Sequence, residues 1–209
     1  VVADLATQID QHLASGGGFA SSDLVTVLVG MNDVLNQFAQ YPAIGEDQLQ
    51  ANLDAAGSEL AAQVNRIANA GAKVIISTIP DLGRTPFAGD RSAGSTNSNP
   101  GVLSRLSARF NDALLANLLN DGHKIGLVQL DQYIIAVDNQ VQAGFTTTYA
   151  NTTQPSCITT IPVTKCTSET LVPDAVNSRW LWADSLHLSA IGQSALGSLA
   201  ATRAQNNPF

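Results

Sequence analysis

Three short apolar runs constrain this chain more than any other feature. They are residues 24–29 (LVTVLV), 73–79 (KVIISTI) and 125–130 (IGLVQL), and two of them end abruptly at Gly30 and Pro80. Each is four to seven residues rich in β-branched side chains, the pattern of a buried strand. Long amphipathic stretches separate them. Residues 46–70 carry Leu49, Leu53, Ala56, Leu60, Val64 and Ile67 three or four apart, and Gly71 follows in the position that commonly closes a helix. Asn99-Pro100 reads as a helix start with Pro at the first position. Leu103, Leu106, Phe110, Leu114 and Leu118 form its stripe, and Gly122 ends it. Shorter helices are expected over residues 4–14, over 132–142 and from Ser189 onward. Alternation of strand and helix predicts a parallel sheet with crossover helices. There is no internal repeat and no linker-like break, so residues 1–209 are expected to form a single α/β domain. Three strands make a thin sheet for this class, whose strands normally have neighbours and are covered on both faces. The sequence therefore implies a sheet with members outside these residues.

Ten Lys and Arg stand against 17 Asp and Glu, a net charge of −7. A nucleic-acid surface needs a basic face, and an anionic membrane surface attracts cations, so neither is an expected partner. No apolar run approaches the ~18 residues of a membrane helix. Cys157 and Cys166 sit in a polar, Thr-rich stretch without a nearby His. Two cysteines cannot complete a four-ligand zinc site. A disulfide closing a short surface loop is the preferred reading, which implies an oxidising compartment, secreted or periplasmic; two free thiols are the alternative. Asn151-Thr152-Thr153 is a glycosylation sequon. The chain opens at Val1 inside a helical pattern, as a start within a longer polypeptide would.

Two motifs carry chemistry. Gly30-Met31-Asn32-Asp33 follows the first strand run, at the end of the sheet where ligands bind in open parallel folds. Gly30 permits a tight exit, and Asn32 offers an amide donor that can meet a developing oxyanion. An ordinary turn explains the same residues. The second motif is Asp184-Ser185-Leu186-His187-Leu188-Ser189. A carboxylate three residues before a His can fix its tautomer for work as a base. Ser189 is the expected N-cap of the last helix. A capped helix start with a surface His is the plain alternative. His12, on a helix, and His123, in a turn after Gly122, carry no such signal.

Together these motifs resemble the GDSL, or SGNH, family of esterases and lipases. Gly30–Asp33 matches the family's Gly-x-Asn-Asp block, Asp184 and His187 match its Asp-x-x-His block, and Thr78-Ile79-Pro80-Asp81-Leu82-Gly83 resembles the loop after its fourth strand. The resemblance implies a flavodoxin-like three-layer α/β sandwich with a parallel sheet. It also implies a carboxylic-ester hydrolase working through an acyl-enzyme on an ester or lipid substrate, with no cofactor and no metal. Asp184 and His187 are then catalytic, and Asn32 and Gly30 belong to the oxyanion hole. One departure is minor: Leu188 stands where the family often has Pro. Another is larger. The family's Gly-Asp-Ser-Leu block supplies the nucleophilic Ser, and a second block supplies an oxyanion Gly; neither occurs in the 29 residues ahead of Gly30. The resemblance thus covers the later part of the family fold, without its first two strands. The nucleophile is unassigned and expected on an N-terminal fragment. Ala183-Asp184-Ser185-Leu186 mimics the nucleophile block, but its residues fit the last block better. Ser21 and Ser22 precede the first strand, at the wrong end of the sheet. A catalytically inactive binding or assembly module is the alternative function. Phe38, Tyr41, Phe87 and Phe145 are candidates for an acyl-binding surface, or for ordinary packing.

Overall fold

Three parallel strands form the main sheet in a computed structural model that describes residues 3–89, 99–119, 122–145, 147–173, 175 and 179–206. The strands are β1 (Leu24–Val27), β2 (Lys73–Ser77) and β3 (Ile125–Val128), in the order β1-β2-β3. Leu24 pairs with Lys73 and Val27 with Ile76, while Val74 pairs with Ile125 and Ser77 with Val128. The helices follow the stripes. They are α1 (Leu5–Ala14), α2 (Met31–Phe38), α3 (Glu46–Ala70), α4 (Pro100–Asn117), α5 (Leu130–Gln142) and α6 (Ala190–Asn206). Residues 83–99, rich in Ser, Asn and Gly, are expected from the sequence to form a loop, and 90–98 of these lie outside the described residues.

The chain divides into two compact units. The first comprises residues 1–79, 108–129 and 200–209 and holds the three-stranded sheet with α1, α2 and α3. Val74 and Ile76 of β2 are fully buried, as are Leu49, Leu53 and Val64 of α3, so the central strand and the α3 stripe make the core. β1 departs from the buried strand expected. Leu24 is 50% and Leu28 45% exposed, and only Val27 of the strand is buried. The physical reason is position, because β1 is the edge of the sheet and pairs only with β2 among the described residues.

The second unit comprises residues 80–107 and 130–199. Its core joins Leu130 and Ile134 of α5 to Tyr149, Leu181 and Trp182. From the sequence, residues 145–177 are expected to form one long irregular loop, since they show neither helical nor strand periodicity. The structure instead places a strand β4 (Asn151–Pro155) there, parallel to β5 (Trp180–Trp182). The Cys157–Cys166 disulfide forms, with Cα atoms 5.8 Å apart. Closing so short a loop contributes about 2–3 kcal/mol in the chain-entropy account.

Gly57 in mid-α3 shows how tightly the first unit is packed. A Cβ there would lie 2.4 Å from the Phe110 carbonyl oxygen and 2.9 Å from the Ala113 Cβ, both on α4. Alanine is the better helix former by about 1 kcal/mol, but overpacking costs about 1–3 kcal/mol. Gly57→Ala is therefore expected to lower stability in denaturant unfolding; a stabilised variant would contradict this packing.

Candidate active site

The family-like motifs fall in separate units. Gly30 and Asn32 belong to the first, Asp184 and His187 to the second.

In the first unit the chain leaves β1 and enters α2 at Gly30, which serves as N-cap at φ 116°. That left-handed backbone favours glycine. Space demands it too, because an added Cβ would lie 2.3 Å from Phe110 Cζ and 3.2 Å from Ile79 Cγ2. Ile79 is itself held through its backbone: Asn111 Nδ2 donates to the Ile79 carbonyl and the Ile79 N–H donates to Asn111 Oδ1, each at 3.0 Å. Met31-Asn32-Asp33 is thus a first helical turn rather than a plain turn, and the Asp33 N–H donates back to the Gly30 carbonyl. Asn32 is exposed there, and its amide makes no hydrogen bond among the described residues.

In the second unit the chain runs off β5, turns through Asp184–His187, and returns beside Trp182 at Leu188. The Ala183 N–H donates to the His187 carbonyl at 2.8 Å and closes the turn. Within it the Asp184 carboxylate is the organising group. Its Oδ1 accepts the Leu186 and His187 N–H groups at 2.8 and 2.6 Å, and its Oδ2 meets His187 Nδ1 at 2.7 Å. Burial acts to raise the Asp184 pKa, but the His187 and Leu186 backbone bonds and the imidazole outweigh it and hold the carboxyl below its ordinary value. The Asp184 side chain is 23% and that of His187 60% exposed. His187 Nε2 has no hydrogen-bond partner among the described residues. One face of the imidazole is tethered to a carboxylate and the other is open to accept a proton, the arrangement of a base in nucleophilic catalysis.

Ser189 then starts α6 as expected. Its hydroxyl donates to the Trp180 carbonyl and accepts the Gly192 N–H. Gly192 lets α6 approach β5, since a Cβ there would lie 2.8 Å from the Leu181 carbonyl oxygen. Sequence reading missed the two backbone bonds to Asp184, although an Asp two residues before such an N–H is a common turn signal.

The remaining sequence candidates fall elsewhere. Ser185 lies inside the turn, and its carbonyl accepts the Phe87 N–H at 2.9 Å. His12 contacts the Gly18 carbonyl and packs on Phe19. Phe38 stacks on Tyr41 with ring centroids 6.5 Å apart, whereas Phe87 and Phe145 are exposed. No group of three or more His, Cys, Asp or Glu is placed to hold a metal among the described residues.

The family model for GDSL-like Lipase/Acylhydrolase matches residues 2–200. The chain belongs to this family. Its α/β architecture with parallel strands agrees with that membership, and the family supports a hydrolase of the esterase or lipase type with ester or lipid substrates. No curated protein matches the chain. No helix among the described residues is long and apolar enough to cross a membrane.

The lowered Asp184 pKa fixes a sign for acid stability. A carboxyl held below its unfolded value of about 3.9 contributes stability that is fully present above that pH and lost as pH falls through the folded value. Exposure of the pair to water limits this to about 1 kcal/mol, or some 2–4 °C in a chain of this size. Wild type is expected to melt higher than Asp184→Asn by that amount between about pH 5 and 8, with the gap closing below about pH 4. A gap that widens with acid would contradict the bonding described.

Proposed function

We propose that this chain is the larger part of a serine esterase or lipase whose nucleophile is supplied by a segment preceding Val1. The observation that carries the reading is His187, tethered through Nδ1 to Asp184 and open at Nε2. The family membership supports the ester substrate.

In this mechanism the serine hydroxyl attacks the ester carbonyl carbon while its proton passes to His187 Nε2. Asp184 keeps the ring in the Nδ1–H tautomer and stabilises the imidazolium. The family's motif assigns the negative charge on the carbonyl oxygen to the Asn32 amide, with Gly30 shaping that turn. Collapse of the tetrahedral intermediate expels the alcohol, which takes the proton from His187. Water then cleaves the acyl-enzyme with His187 again as base, releasing the carboxylic acid. The chemistry needs no metal and no organic cofactor.

Two observations support a nucleophile from outside these residues. No Gly-Asp-Ser-Leu block precedes Gly30, and β1 with the residue after it presents exposed Leu24 and Leu28 at an edge of the kind proteins normally cover. A preceding strand laid parallel to β1 would cover that edge and extend the sheet. All 209 residues then belong to one SGNH-like domain, completed by the added segment. The Cys157–Cys166 disulfide supports a secreted or periplasmic location.

The test is turnover of short-chain nitrophenyl esters by the chain extended with its upstream coding sequence. His187→Ala and Asp184→Asn are each expected to lower kcat by about 10⁴-fold or more. Asn32→Ala is expected to lower it by about 10²–10³-fold. Full activity in the His187→Ala protein would reject the mechanism. No turnover by the extended wild-type chain would favour an inactive binding module.

A further inference from the structure

A partly buried ion network lies in the second unit, on the loop that follows β2. Asp138 of α5 is buried, and its Oδ2 receives Arg84 Nη1 at 2.6 Å. Its Oδ1 accepts the hydroxyl of Thr152 on β4 at 2.7 Å. Arg84 also reaches the Asn139 side-chain oxygen at 2.8 Å and Asp81 Oδ2 at 3.3 Å. Asp81 in turn accepts the Ser104 hydroxyl at 2.6 Å and the Gly83 N–H at 2.9 Å. One guanidinium thus fastens the 81–85 turn to α5, and the shared carboxylate links it to β4. A planar fork with several donors is suited to this, and a lysine would not reach all three acceptors together.

The loop that Arg84 fastens continues through buried Thr85 and Ala88, and between them the Phe87 N–H donates to the Ser185 carbonyl at 2.9 Å. Ser185 lies between Asp184 and His187. On the preceding side, the Cys157 N–H donates to the Ala183 carbonyl at 2.9 Å. The proton-transfer turn is therefore gripped from outside at Ala183 and Ser185, and the second grip leads through one short loop to Arg84 and Asp138.

We infer that Arg84 and Asp138 are positioning residues. They hold the 82–88 loop so that the Phe87 N–H fixes Ser185, and with it the angle at which Asp184 meets the His187 imidazole. This rests on the reading of Asp184 and His187 as the proton-transfer pair. A buried charged pair adds little net stability compared with neutral groups of similar shape. Its geometric consequence is the orientation of a backbone donor against the turn.

The experiment is a long-range ¹H–¹⁵N correlation spectrum of the three imidazoles, at about pH 8, in the labelled chain extended with its upstream coding sequence. Wild-type His187 is expected to show an excess of the Nδ1–H form, which an unpartnered imidazole disfavours. If wild type lacks that excess, the proton-transfer reading itself fails, before any variant is measured. Two variants then test the positioning. Arg84→Met combined with Asp138→Asn removes both charges of the pair, so neither is left facing an unpaired partner, and Asp81 keeps its bonds from Ser104 and Gly83. Phe87→Pro deletes the N–H that grips Ser185. Each is expected to lower the ratio of Nδ1–H to Nε2–H on His187 by about fivefold, the change that one hydrogen bond's net strength allows. Phe87→Ala keeps the N–H and should keep the wild-type ratio, and Arg84→Lys should fall between. Melting curves identify the folded variants, and if the double variant does not melt cooperatively, Phe87→Pro decides. A wild-type ratio retained in either folded variant overturns the inference.

Discussion

The Asp184 carboxylate accepts two backbone N–H groups of its own turn and faces one imidazole nitrogen, and the chemistry proposed for the second unit depends on that arrangement. Charge-assisted bonds of this kind are roughly twice as strong as neutral ones. Three of them on one carboxylate define a turn only four residues long. The ring is then presented with one nitrogen against the carboxylate and its second nitrogen open. Everything around the turn supports this geometry. Ser189 anchors the start of α6 to β5, Gly192 allows the helix to come close, and neighbouring loops grip Ala183 and Ser185 through their carbonyls.

The first unit shows a different constraint with a similar effect. Gly30 turns the end of β1 into the start of α2 through a backbone angle and a clearance that a larger residue lacks. Asn111 holds the chain beyond β2 in place by taking both polar groups of Ile79. Asn32 is therefore displayed on a helical turn rather than on a loop, which suits the oxyanion role proposed for it.

Periodicity made the helices and the main sheet legible in the sequence. The stripe over residues 46–70 and the closing Gly71 predict α3 with the bounds the structure shows, and the three β-branched runs are the three strands of the main sheet. β4 was not legible because Asn151-Thr152-Thr153-Gln154-Pro155 has no apolar alternation. That segment is a strand because Thr152 bonds to Asp138 and because it pairs with β5, and both contacts are long in sequence. α2 was hidden because Gly-x-Asn-Asp has the composition of a turn as much as of a capped helix start. The Asp184–His187 contact was legible because three-residue spacing makes it local. The Arg84–Asp138 pair, 54 residues apart in sequence, was not.

The central claim is that His187 acts on a hydroxyl supplied from outside these 209 residues. Fluorophosphonate labelling of the chain extended upstream of Val1, followed by mapping of the modified peptide, tests it most directly. The account predicts one labelled serine, located before Val1, with labelling abolished by His187→Ala. A label on Ser185 or on any other serine within residues 1–209 would contradict it.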